Sequence, residues 1–221
     1  MKVFVINLNA DRWEKYDSNK WSVSPYTRFQ AIDGNKELDP QWVDDNYHFY
    51  WNANRKLRQS VAGCSESHLK LLQHIIDNKI DNVIILEDDC ILDFSKLELL
   101  KDVDDICYVG GMFHPPILKN LKTFKRPENL IEGINVINPE KFLITNAQAY
   151  YIPHWKQAQE LLIQQHKKRR AIDVEYKSLQ KKGIIKYFLY PAIGTLHLPD
   201  AEKGFTWSQS NYKLTNDLKY F

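Results

Sequence analysis

The chain is 221 residues long, which at roughly 100–200 residues per domain predicts one domain with length enough for a sizeable buried core. Hydrophobic residues make up 43% and charged residues 26%, a globular balance that excludes disordered, collagen-like and disulfide-scaffold architectures. Thirty basic against twenty-eight acidic side chains leave a net charge of +2, short of the strongly basic balance of a dedicated nucleic-acid binder, so no nucleic-acid partner is expected.

Val3 to Leu8 is a short apolar, β-branched run and predicts a first strand, followed by a helix over 9–20 with Trp13 and Tyr16 on one side. Asn7, Asn9 and Asp11 interrupt the run, which makes it too short for a signal peptide. Tyr26 to Ile32 predicts a second strand, closed by Asp33-Gly34, a dipeptide suited to a tight turn. Pro40 to Trp51 is expected to be helical, with Trp42, Tyr47, Tyr50 and Trp51 available for sugar stacking. Arg55 to Arg58 reads as an exposed basic segment before Gly63, with a helix starting near that glycine.

Leu71, Leu72, Ile75 and Ile76 recur at helical spacing, and the continuous run Val83 to Leu86 after them predicts a buried central strand. Asp105 to Val109 predicts a further strand ending in Gly110-Gly111. The span from His114 to Pro139 reads as a long functional loop that would exclude water. Gln148 to Ile152 is a strand, 155–166 an amphipathic helix with Trp155, Ala158, Leu161 and Leu162 inward, 173–181 another helix, and Ile185 to Tyr190 a last strand. Lysines and arginines at 167–170 suit a solvated helix end. Strands alternating with helices predict an α/β sheet covered on both faces, with ligands beyond the carboxyl ends of the strands.

Cys64, Cys90 and Cys107 are odd in number and widely spaced, with no CxxC and no paired His spacing of a zinc site, which suits a reducing compartment. No stretch approaches the ~20 apolar residues of a membrane span, so a cytoplasmic protein is expected and any membrane contact is peripheral.

Glu87-Asp88-Asp89 follows the central strand directly. In an extended chain Glu87 and Asp89 share a face while Asp88 points away. Two converging carboxylates suit a hard dication, Mg²⁺ or Mn²⁺, bridging to a diphosphate; an exposed acidic loop is the plain alternative. Asp33 is placed to accept hydrogen bonds from a ribose or uracil, or simply to make its turn. Ser65 and Ser67 read as helix caps, and His68 as either a satisfied core histidine or a substrate contact.

Together, Val5-Ile6-Asn7-Leu8 with Arg12, Ala31-Ile32-Asp33-Gly34, Gly63-Cys64-Ser65-Glu66-Ser67-His68 and Ile85-Leu86-Glu87-Asp88-Asp89 resemble glycosyltransferase family 25, in order and in spacing. The likeness loosens after about residue 90, through Ala149-Tyr150-Tyr151-Ile152, Ile172-Asp173 and Tyr190-Pro191. The resemblance implies a GT-A fold, a Rossmann-like mixed sheet flanked by helices, as a single domain over 1–221. Its nucleotide-sugar half would span 1–110 and its acceptor half 111–221. It also implies a UDP-sugar donor, a divalent metal, Mn²⁺ or Mg²⁺, and inverting transfer of galactose or glucose to a glycan hydroxyl. Asn7, Leu8, Arg12, Ala31, Asp33, Gly63, His68 and Asp88 would then line the donor side. Glu87, Asp89 and His197 would hold the metal, and Asp173, otherwise a helix N-cap, would serve as the base. A bacterial or large-virus enzyme of lipopolysaccharide assembly fits better than a collagen-modifying one, given the short carboxyl-terminal region and the expected lack of a secretory signal. The rivals are a non-catalytic carbohydrate- or protein-binding module and a sugar-nucleotide nucleotidyltransferase. The latter is disfavoured because Asn7-Leu8-Asn9-Ala10 offers no glycine-rich phosphate loop.

Overall fold

The computed structural model describes residues 1–11, 13–14, 26–49, 54–117, 127–164 and 168–196; Arg12 and His197 lie outside them. The apolar run at the amino end forms β1 (Lys2–Asn7), which pairs in parallel with β2 (Tyr26–Gln30) on one side and β3 (Val83–Glu87) on the other. Next to β3 comes β9 (Ala149–Ile152), antiparallel both to it and to β5 (Cys107–Tyr108). The far edge is built from β10 (Tyr187–Tyr190), parallel to β5, and β7 (Gly133–Val136), antiparallel to β10. Seven strands thus lie in the order β2-β1-β3-β9-β5-β10-β7. The α/β mixed sheet expected from the sequence is present.

Period-two alternation sorts the strand residues between two cores. Phe4, Ile6, Val83, Ile85, Tyr150 and Ile152 join the apolar stripes of α3 (Arg55–Asp77), α4 (Trp155–Ile163) and α5 (Ile172–Lys181). Val3, Val5, Ile84, Leu86, Ala149 and Tyr151 face the opposite side, under the 3₁₀ helix Phe94–Leu100. Two short antiparallel pairs complete the fold: β4 (Cys90–Leu92) with β11 (Gly194–Leu196), and β6 (Met112–His114) with β8 (Leu143–Thr145).

Several boundaries differ from the sequence expectation. Arg55 to Arg58 are not a separate basic segment but the first turn of α3, whose start is fixed by Asn54 accepting from the Leu57 amide at 2.9 Å. Gly63 therefore lies inside the helix rather than at its start. Its neighbour in space is Gly34, in the short α1 (Gly34–Glu37): a Cβ on Gly63 would stand 2.5 Å from the Gly34 nitrogen, and one on Gly34 would stand 1.8 Å from the Gln59 carbonyl oxygen. The two glycines let the turn after β2 lie directly on the α3 backbone. Because both opposing atoms are main chain, neither can swing aside. Gly34→Ala is expected to destabilise the protein by about 3 kcal/mol, the upper part of the usual overpacking range, read as a shift in the urea midpoint at unchanged slope. A shift no larger than that of an exposed substitution would refute the contact.

Helix α2 covers Pro40–Asn46 and stops there, short of Trp51. Tyr47 is buried against Val43 and Ala62, so it cannot stack on a sugar; Tyr50 and Trp51 lie outside the described residues. The span 114–139 is not one loop, since β7 and the end of β6 fall within it, with 118–126 outside the described residues. Arg169 is no solvated helix end: its guanidinium pairs with Glu66, which also accepts from the Tyr47 hydroxyl at 2.6 Å. Among the described residues no helix is long and apolar enough to cross a membrane.

Candidate active site

The carboxyl ends of β1 and β3 lie side by side, with Ile6 opposite Glu87 in the parallel register. Alternation continues to these ends and sends their polar residues to opposite faces. Glu87 has the parity of Val83 and Ile85 and so faces α3. There Cys64 and His68, four residues apart and hence on one helical face, both reach it. The Cys64 thiol donates to Glu87 Oε1 at 3.6 Å, and His68 Nε2 lies 3.2 Å from the same oxygen. Asp88 turns to the other face, where its Oδ2 accepts from Asn7 Nδ2 at 2.8 Å; Asn7 Oδ1 in turn accepts from Arg28 Nε at 2.9 Å. Asn7 is fully buried and acts as a brace between Asp88 and Arg28.

Asp88 and Asp89 form a turn leading into β4, so the extended alternation expected to bring Glu87 and Asp89 together stops at Asp88. The two are nonetheless close electrostatically. Desolvation pushes the Cys64 thiol well above its ordinary pKa, and the carboxylates of Glu87, Asp173 and Asp89 push it further. The buried Cys90 thiol is raised by burial first, then by Asp89 and Glu87. One region therefore carries the field of three carboxylates drawn from β3, its turn and α5.

Asp173 is not the N-cap of its helix. That place belongs to Ala171, which offers no side-chain bond, and Asp173 stands in the first turn with its Oδ2 accepting from Thr145 Oγ1 at 3.3 Å. Its carboxylate is thus free of capping duty and contributes to the potential at Cys64, Tyr108 and His114.

His68 is completely buried, with Nδ1 2.9 Å from the Tyr150 hydroxyl and the Tyr176 hydroxyl donating to Tyr150 at 3.1 Å. The core-histidine reading is the one observed, and through Nε2 it touches the acidic cluster. Ser65 and Ser67 cap nothing: Ser67 Oγ accepts from the Ile32 amide at 2.8 Å, and Ser65 Oγ from the Ile172 amide at 3.0 Å, tying the turn after β2 and the start of α5 to α3. Asp33 N-caps α1 by accepting from the Asn35 amide at 3.1 Å. The hydrogen bond from Lys36 holds its carboxyl below the ordinary range. Ala31 is buried, its amide donating to the Asn7 carbonyl at 3.0 Å, and Leu8 is exposed at the end of β1.

Structure thus gathers Asn7, Leu8, Ala31, Asp33, Gly63, His68, Glu87, Asp88, Asp89 and Asp173 around the ends of β1 to β3 and the start of α5. Cys64, Thr145, Tyr150 and Tyr176 join them without having been singled out as site residues. The spacing of Cys64 and His68 was the available signal for the first; the others are ordinary strand and helix residues whose hydroxyls carry no local pattern.

No curated protein matches this chain significantly. A family model described as glycosyltransferase family 25 (LPS biosynthesis protein) matches residues 1–176, a span that takes in β1, β3, the acidic turn and the start of α5 through Tyr176. With its Rossmann-like mixed sheet and its acidic residues at the strand ends, the chain belongs to glycosyltransferase family 25.

Proposed function

We propose that this glycosyltransferase moves a hexose, galactose or glucose, from a UDP-sugar to a hydroxyl of a glycan acceptor, with inversion and with the aid of Mg²⁺ or Mn²⁺. The observation that supports the reading is the acidic run Glu87-Asp88-Asp89 at the carboxyl end of the central strand β3, beside the end of β1 from which Asn7 donates to Asp88. Ligands of open α/β sheets bind beyond that end.

The donor set fits a hard dication, since Glu87 at the end of β3 and Asp89 in the turn after it offer carboxylate oxygens and are each half-buried. These two would hold the metal, and His197 is proposed as a further ligand. When bound, the ion would neutralise charge developing on the departing diphosphate. The chain's own residues do the rest. Asn7 fixes Asp88 and with it the turn; Leu8, Ala31 and Asp33, just beyond the ends of β1 and β2, and Gly63 in α3 would flank the donor, and Arg12 is proposed to join them. Asp173 takes the acceptor proton as the hydroxyl attacks. Its place on α5, a different element from the metal-holding turn, suits the separation that an inverting reaction needs between base and leaving group. Three free thiols suit work in a reducing, cytoplasmic compartment, and the LPS biosynthesis in the family description suits a lipopolysaccharide-type acceptor.

A panel of nucleotide sugars tested by thermal shift, with and without Mn²⁺, checks the donor, since a ligand of the native state raises apparent stability. A shift for a UDP-hexose only when metal is present, followed by transfer with inverted anomeric configuration, is the expected result. Full transfer in EDTA, or retention of configuration, would overturn the corresponding part.

A further inference from the structure

We propose that Cys64, His68 and Glu87 form a site for a single thiophilic dication of the Zn²⁺ class, held by a thiolate sulfur, an imidazole nitrogen and a carboxylate oxygen. The three ligand atoms lie within 4.8 Å of one another. Zinc bonds of about 2.3 Å to sulfur and about 2.0–2.1 Å to nitrogen and oxygen, at tetrahedral angles, set sulfur about 3.5 Å and nitrogen about 3.3 Å from the oxygen. The observed separations from the oxygen are 3.6 Å and 3.2 Å; sulfur and nitrogen, which the same geometry sets about 3.5 Å apart, lie within 4.8 Å. Two of the ligands stand one turn apart on a 23-residue helix and the third ends a buried strand, so the spacing is set by rigid elements.

The surroundings also suit a metal. A ligating histidine ordinarily donates its other ring nitrogen to a fixed acceptor, which sets the tautomer. His68 Nδ1 already has such an acceptor in the Tyr150 hydroxyl, itself hydrogen-bonded to Tyr176. With metal on Nε2, the proton resides on Nδ1 and points to Tyr150. The carboxylates of Asp89 and Asp173 add negative potential at the sulfur. That potential opposes a bare thiolate but favours a dication, and on binding the thiol proton leaves to solvent. Cys64 is exposed as a residue, although its sulfur is desolvated, so an ion reaches the site from the α3 surface.

Sulfur and imidazole distinguish this donor set from an all-oxygen magnesium or manganese site. Glu87 belongs to both, so zinc would compete with the ion proposed for the acidic turn.

The test titrates reduced, metal-free full chain with Co²⁺ alone and reads the near-ultraviolet sulfur-to-cobalt charge-transfer band, then adds Zn²⁺. A band saturating at about one metal per chain and bleached by zinc is expected. Cys64→Ser, a near-isosteric change at an exposed position, should fold normally by circular dichroism and lose the band. Tyr150→Phe should keep the band but weaken cobalt affinity on the order of tenfold or more. Absence of the band in the wild type, its survival in Cys64→Ser, or unchanged affinity in Tyr150→Phe would each overturn the site as drawn. The readout is the metal's own spectrum: a band without sugar transfer leaves this inference standing, and transfer without a band removes it alone.

Discussion

Asp89→Ala is expected to abolish sugar transfer while leaving the fold intact. Asp89 is half-buried in the turn between β3 and β4, outside both apolar cores, so its removal opens no cavity under the sheet. Stability should stay within about 0.5 kcal/mol of the wild type, the range for positions away from cores and caps. Chemistry depends on it much more. Asp89 is proposed, with Glu87, to supply carboxylate oxygens to the metal. Initial rates with a UDP-sugar and Mn²⁺, alongside the urea midpoint, decide it. A variant with substantial transfer would move metal binding off the turn, and a variant that unfolds would show a structural role instead.

Asp173→Asn should lower turnover on the order of 10²-fold or more, the scale of a lost general base, at near-normal stability and donor binding. Asparagine keeps an oxygen to accept the Thr145 hydroxyl, and no cap is lost, because Ala171 holds that position without a side-chain bond. The loss of one negative charge in the first helical turn costs only about 0.3–1 kcal/mol through the helix dipole. Single-turnover rates and the thermal midpoint separate the outcomes. Comparable turnover would leave Asp173 a structural carboxylate. Asp33 is a poor replacement for it, since it caps α1 and the hydrogen bond from Lys36 holds its carboxyl below the ordinary range.

What was legible in the sequence is what short-range pattern controls. Val83 to Leu86 is buried on both faces and so reads as an unbroken apolar run, and Leu71, Leu72 and Ile75 mark the apolar stripe of α3. The amino-terminal half of that helix was harder to see because it buries Gln59, Ser65, Ser67 and His68, polar residues whose partners come from elsewhere in the chain. Cys64 and His68 stand four residues apart and so share a helical face, but that Glu87 meets that face depends on how β3 packs against α3, which local sequence does not announce. Strands of three or four residues at 112–114 and 133–136 owe their conformation to pairing with β8 and β10, which local propensity does not announce. Asp173 illustrates the opposite error, a residue type favoured at a cap standing two places beyond it.

The antiparallel strand lodged between β3 and β5 bears on how the chain is made. β3 is complete at residue 87, yet the partner that closes its second edge begins at residue 149. During synthesis the nascent chain therefore carries an apolar strand with one open hydrogen-bonding edge for some time after it has emerged. Such an edge is a template for wrong pairing, and long-range closure of this kind is slow relative to local helix formation. A chain interrupted before residue 152 would expose both β3 and β5, so cutting the molecule near residue 110 gives fragments that must be brought together to fold. Insertions and split points belong instead outside the strand run, and co-expression of the two pieces is the condition under which a divided enzyme would recover its sheet.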